Sequence, residues 1–248
     1  MQNLFDQYEA SMEIARARFD RDNALSRILR PETDPILLEL FLIHFNALGV
    51  QMTDPVEGWI RRAGERCEEF GLPDLGKALK SHSKAEAGHQ LMMVRDTRRL
   101  VERWNRRRST KLDADELISA PATPGIRRYC GVHEDNIAGK TPYAQIAIEY
   151  EIEMLPLKYG SMFIKGCLDR LGADIADCME FVNEHVTLDI GHSKFNGEQL
   201  QRFIERKPES LAALIAAGTE ALDAYAEFLG DCEETAARSR ESLSPVEA

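Results

Sequence analysis

Helix-start signals recur along this chain, and runs of β-branched residues alternating with polar ones do not. A side-chain acceptor followed at once by proline suits a helix's first turn. The acceptor takes up an orphan backbone N–H, and proline lacks the N–H that would be unpaired there. Asp54-Pro55 and Thr141-Pro142 carry this signal, and Pro73-Asp74 opens another helix. A chain punctuated in this way buries helix against helix. The periodicity predicts helices over 3–29, 35–48, 55–71, 73–108, 142–172, 174–206 and 208–229. Gly49 is expected to end the second, and Pro156 to kink the helix that begins at Pro142. Residues 109–141 read as a loop with one or two short helices, because Pro121, Pro124, Gly125 and Gly139 interrupt them. The expectation is one all-α bundle of about seven helices over residues 1–230, with 231–248 as a flexible tail.

Composition narrows the function. The 248 residues carry 31 Lys and Arg against 42 Asp and Glu, a net charge of −11, which argues against general nucleic-acid binding. No run approaches 18 uninterrupted apolar residues and the N-terminus lacks an apolar signal core, so a cytoplasmic chain without a membrane partner is expected. The 5 cysteines are odd in number, widely spaced and without CxxC, and read as free thiols.

Four of the 6 histidines fall in two related clusters: His82, Glu86, His89 and His185, Asp189, His192. On a helix, offsets of 0, +4 and +7 place side chains at about 0°, 40° and −20°, a narrow stripe. Imidazole with carboxylate suits iron, manganese or zinc. The second stripe has apolar neighbours Val182, Val186, Leu188 and Ile190, so it is expected to face inward. An Asp buried between two His is costly unless a cation compensates it. The helix after Pro142 offers further carboxylates. Glu153 shares a stripe with Ile146, Tyr150 and Leu157 and is the preferred ligand. Glu149 is the reserve, and Glu151 is expected in solvent.

The ExxH of Glu86 and His89, the inward Glu153 ahead of a kink, and the HxxxDxxH ending at His192 together resemble the haem-oxygenase-like diiron oxidases, or iron-containing redox enzymes. The resemblance covers mainly residues 80–95 and 145–200. It implies a haem-oxygenase-like bundle in which Glu86, His89, Glu153, His185, Asp189 and His192 bind two Fe(2+) ions that activate O2. It further implies an oxidoreductase that draws on an electron donor. The substrate class it implies is a small amine or amino acid, through N-oxygenation or C–C cleavage, or, less favoured, a fatty acid. His82 departs from the pattern and stands as a seventh ligand, a neighbour of the ligands or a substrate contact. Glu149, Tyr150 and His44 are further candidates for such neighbouring or substrate roles. His44 lies on an apolar stripe and reads first as a packed core histidine, and His133 is expected to stand apart from the metals.

Three other readings stay open. A ferritin-like diiron bundle would recruit Glu39 and leave His185 without a role. The others are a metal-free, thiaminase-like enzyme of the same fold and a non-enzymatic helical interaction protein. The cluster of basic residues from Arg95 to Lys111 reads as a solvated helix face, and homodimer assembly is left open.

Overall fold

The computed structural model describes residues 3–243, and no strand occurs among them. The helices are α1 (Leu4–Asp22), α2 (Ala24–Ile28), α3 (Pro35–Thr53), α4 (Val56–Glu69), α5 (Pro73–His82) and α6 (Gln90–Arg107), followed by α7 (Ala114–Ile118), α8 (Pro124–Ala138), α9 (Gln145–Leu155), α10 (Ser161–Leu171), α11 (Glu180–Arg206) and α12 (Leu211–Glu241). There are more helices than expected because several long ones are interrupted. Asn23 splits the first: its side chain accepts from Ser26 N at 3.1 Å and caps α2. Residues 83–89 break the expected helix over 73–108, and Gly88 there has φ +87°, a conformation that favours glycine.

Two expectations about helix ends are corrected. Gly49 lies inside α3, where it leaves room for the Met93 side chain. The tail expected from 231 is helical to Glu241, with Cys232 and Ala236 buried; residues 244–248 lie outside the described residues.

α3 runs through the centre of the bundle, and every residue from Leu38 to Gly49 is buried. It packs on α6 and α12. The stretch from Pro35 to Glu69 is long and apolar enough to cross a membrane, but most of it is buried inside the fold, as expected of a core helix. Phe41 and Phe45 meet Phe163 edge-on, with centroids 6.1 and 5.9 Å apart. Glu39 is buried in an ion pair with Arg103, which also bonds Asp174 at 2.8 Å. The basic run on α6 is therefore more than a solvated face: Arg95 and Arg99 pair with Glu180, and Arg107 with Asp174.

Three local devices set the helices that carry the candidate site. At Pro156 the missing N–H widens the backbone into a π-helical turn, Pro156–Gly160, which joins α9 to α10. Gly160 lets this turn press against Val186 of α11, where a Cβ would collide. The start of α11 is capped from another helix, because buried Asp96 of α6 accepts from Glu180 N at 3.0 Å and Phe181 N at 2.8 Å. Asp96→Ala leaves both donors without that acceptor. It should lower unfolding stability by about 1–2 kcal/mol in urea denaturation, and Asp96→Asn, which keeps one acceptor oxygen, should lose less.

Candidate metal centre

Three segments meet at the middle of the bundle: the turn between α5 and α6, the inner face of α9, and the first half of α11. α11 is unbroken from His185 to His192, so its stripe forms by ordinary helical geometry. His82, Glu86 and His89 converge differently. His82 is the last residue of α5, Glu86 sits in the turn, and His89 precedes α6. The helical stripe expected across 82–89 is thus corrected to a turn that folds three donors into one place.

The donors form two groups. In one, ligand atoms of His82, Glu86, Glu153 and His192 lie within 4.8 Å of one another; in the other, those of Glu86, His89 and His185 do. Glu86 belongs to both. Its Oε1 is 3.0 Å from His192 Nδ1 and its Oε2 is 2.9 Å from His89 Nδ1. His82 Nε2 lies 2.9 Å from Glu153 Oε1 and 3.9 Å from Glu149 Oε2. His82, left open by the sequence, therefore sits among the donors. Asp189 is buried beside them, its Oδ1 3.6 Å from His192 Nδ1, but outside both groups. Glu149 also lies outside both groups, on the same side of α9 as Glu153.

Hydrogen bonds orient several of these side chains. His185 Nδ1–H donates to the Phe181 carbonyl at 2.7 Å, which leaves Nε2 with its lone pair. Asn196 Nδ2 donates to Glu153 Oε2 at 2.6 Å and lies 3.3 Å from His82 Nε2. Gln145 Nε2 bridges Glu149 Oε1 and His133 Nδ1, which ties His133 to the rim of the site and leaves it outside both donor groups. His133 itself is stacked on Trp59, centroids 4.1 Å apart.

The residues present fit a metal. Glu86 Oε1, Glu153 Oε1, His89 Nδ1 and His192 Nδ1 are buried and lack a hydrogen bond in good geometry, although they crowd together. Each such atom costs about 1–3 kcal/mol unless something satisfies it. Carboxylate oxygens and imidazole nitrogens aimed at shared points suit iron, manganese or zinc. The charges respond to the crowding. Burial alone would raise the Glu86 carboxyl, but His192 and His89 hold it well below its ordinary range. Burial pushes the Glu149 and Asp189 carboxyls up to about 8 each, with neighbouring Glu153 and Glu86 adding to the effect. Burial would lower His82, but the Glu153 carboxylate 2.9 Å away and the other surrounding carboxylates raise it to about 9. Burial holds His185 down at about 4.

Two sequence candidates lie elsewhere. The Tyr150 ring packs against Phe5 and Tyr8 of α1, at 6.2 and 6.4 Å, on the flank of α9 rather than its inner face. His44 is a packed residue whose Nε2 meets Ser239 Oγ at 2.9 Å. Glu151, expected in solvent, is buried and bonded by Tyr8 and Arg16 at 2.9 and 2.8 Å. Glu39, the carboxylate a ferritin-like site would recruit, is held by Arg103. Asn196 continues the α11 stripe at the next helical step, a position the sequence marks only by that spacing.

Beside the donors lies a cavity of about 90 Å³, whose lining includes Met52, Val56, Tyr129, Ile152, Phe181 and Tyr225, with Glu149 and Asp189.

No family model and no curated protein matches this sequence. Solved structures do match its fold. A domain of unknown function with a heme oxygenase-like fold from Shewanella denitrificans superposes with a TM-score of 0.73 at 15% identity, covering 98% of this chain and 97% of that one. A TenA homolog from Pseudomonas syringae pv. tomato gives 0.69 at 16%, covering 92% of each chain. The fold is haem-oxygenase-like and all-α.

A pH dependence follows. Above about 6.5 an unfolded chain has lost the His82 proton, and its Glu and Asp are ionised. The metal-free folded chain keeps protons on His82 to about 9 and on Glu149 and Asp189 to about 8. The folded state thus binds more protons, so stability falls as pH rises from 6.5 to 8. Thermal unfolding with chelator should show this fall. With zinc, which displaces these protons, the fall should shrink or vanish.

Proposed function

We propose that this chain is a non-haem diiron oxidoreductase that uses O2 to oxidise a small amine or amino-acid derivative, with electrons from a separate donor. The observation that carries this reading is Glu86, one carboxylate shared by two histidine-bearing donor groups. His82, Glu153 and His192 would hold one ion and His89 and His185 the other, with Glu86 between them and Asp189 in reserve. Bound iron supplies the reduction of O2 and the oxidising equivalents that the side chains lack.

The chain's own residues supply the rest. Phe181 fixes the His185 tautomer through its carbonyl. Asn196 anchors Glu153 by one oxygen and leaves the other toward His82 and His192. Gln145 holds Glu149 Oε1, which leaves Oε2 as an acceptor at the edge of the cavity. The apolar lining excludes water from the reacting face. A metal-free enzyme of this fold would leave four crowded, buried donor atoms without well-formed hydrogen bonds.

Anaerobic ferrous loading followed by metal analysis tests the proposal. The native chain should hold two irons and consume O2. His192→Ala should lose at least one iron and the oxygen consumption, whereas His44→Ala should keep both irons. Equal iron in the two variants, or no iron in the native chain, would refute it.

A further inference from the structure

The cavity beside the donor groups is one of two that adjoin. A second, of about 50 Å³, shares Pro156, Phe181, His185 and Tyr225 with the first. Its remaining wall is aromatic and aliphatic, with Phe19, Phe45, Phe163, Leu155 and Leu229 among its residues. Neither chamber has a lysine or arginine in its lining. Hydrogen-bond donors are scarce: the Thr53 hydroxyl is already given to Gly49 O at 3.0 Å, and His185 Nδ1–H to Phe181. The Tyr129 and Tyr225 hydroxyls remain. Acceptors, by contrast, are at hand. Glu149 reaches the chamber from α9 and belongs to neither donor group.

We infer, on the reading given above, that the substrate is a small apolar amine without a carboxylate, seated in the two adjoining chambers with its nitrogen toward Glu149. Charge balance favours this over an amino acid or a fatty acid. Glu149, Glu153 and Asp189 are buried around the centre, and Glu86 is partly buried there. An anionic head would sit against these carboxylates, with no lysine or arginine in the lining to pair with it. An ammonium group has a carboxylate acceptor waiting.

A neighbouring cavity has the same bias. Phe19, Leu155 and Tyr159 of the second chamber also line a third cavity of about 210 Å³, which carries Glu13, Asp20 and Glu151 against Arg16 and Lys158. Both cations are already engaged: Arg16 by Glu9, Glu13 and Glu151, and Lys158 by Asp20 at 2.6 Å. The net charge there is negative, which repels an anion and attracts an ammonium.

The test uses full-length protein loaded with Mn(II) and titrated calorimetrically at pH 7 with 2-phenylethylamine, 3-phenylpropionate and phenylalanine. These share a ring and a short chain and differ in charge. The amine should bind once per chain, at least tenfold tighter than either carboxylate compound. Ile152→Trp and Val56→Phe fill the first chamber from two sides and should each abolish amine binding with metal content unchanged. Glu149→Gln should weaken the amine tenfold and leave the neutral probe 2-phenylethanol within twofold. Equal or tighter binding of 3-phenylpropionate, no binding of the amine, or amine binding that survives both blocking variants would overturn the inference. Metal content of the same samples is read separately. Two metals with no amine preference sinks this inference alone, whereas amine binding without metal sinks the diiron reading alone.

Discussion

One partly buried carboxylate, with its Oε1 fully enclosed, organises the centre of this molecule. Glu86 lies between imidazoles from two segments of chain, the turn between α5 and α6 and the first half of α11, and two of the atoms around it, His89 Nδ1 and His192 Nδ1, lack a well-formed hydrogen bond. Such a group is tolerable in a helical core only when its charge is met on both sides. The surrounding structure meets that condition in steps. The helix between Pro73 and Arg107 is broken at 83–89, which brings Glu86 into the bundle instead of leaving it on a helix surface. Asp96 fixes the start of α11 and thereby the height of His185, Asp189 and His192. The π-helical turn after α9 and the small Gly160 bring α9 and α11 close enough for Glu153 to reach Asn196 and His192.

The legibility of this centre in the sequence differed from helix to helix, for physical reasons. The α11 stripe could be read because the helix is unbroken and the 3.6-residue period holds across it. The same arithmetic on 82–89 grouped residues that do meet, but through a turn whose signal was Gly88 rather than helical spacing. On α9 the stripe through Ile146, Tyr150 and Leu157 was apolar and looked inward. The face that lines the cavity instead runs through Glu149, Ile152 and Pro156, with Glu153 at its edge. Buried carboxylates made that face look polar. Glu151 misled in the same way, since its partners Tyr8 and Arg16 come from α1, far away in sequence. The last helix was read too short because its C-terminal half is charged, although Cys232 and Ala236 still pack inward.

A fold shared at 15–16% identity says how the helices are stacked and little about chemistry. The chemistry is carried by a few side chains on that stack. Here the donors, the tautomer set by the Phe181 carbonyl and the apolar chamber against His185 all point to the same place. The absence of cations from that chamber is as informative as the presence of donors beside it, because a buried site selects by what it leaves unpaired.

Anomalous diffraction at the iron edge, from crystals of ferrous-loaded protein, tests the central claim most directly. The account predicts two iron peaks per chain flanking the Glu86 carboxylate, one within reach of His82, Glu153 and His192 and the other within reach of His89 and His185. A single peak, or two that do not share Glu86, would contradict it.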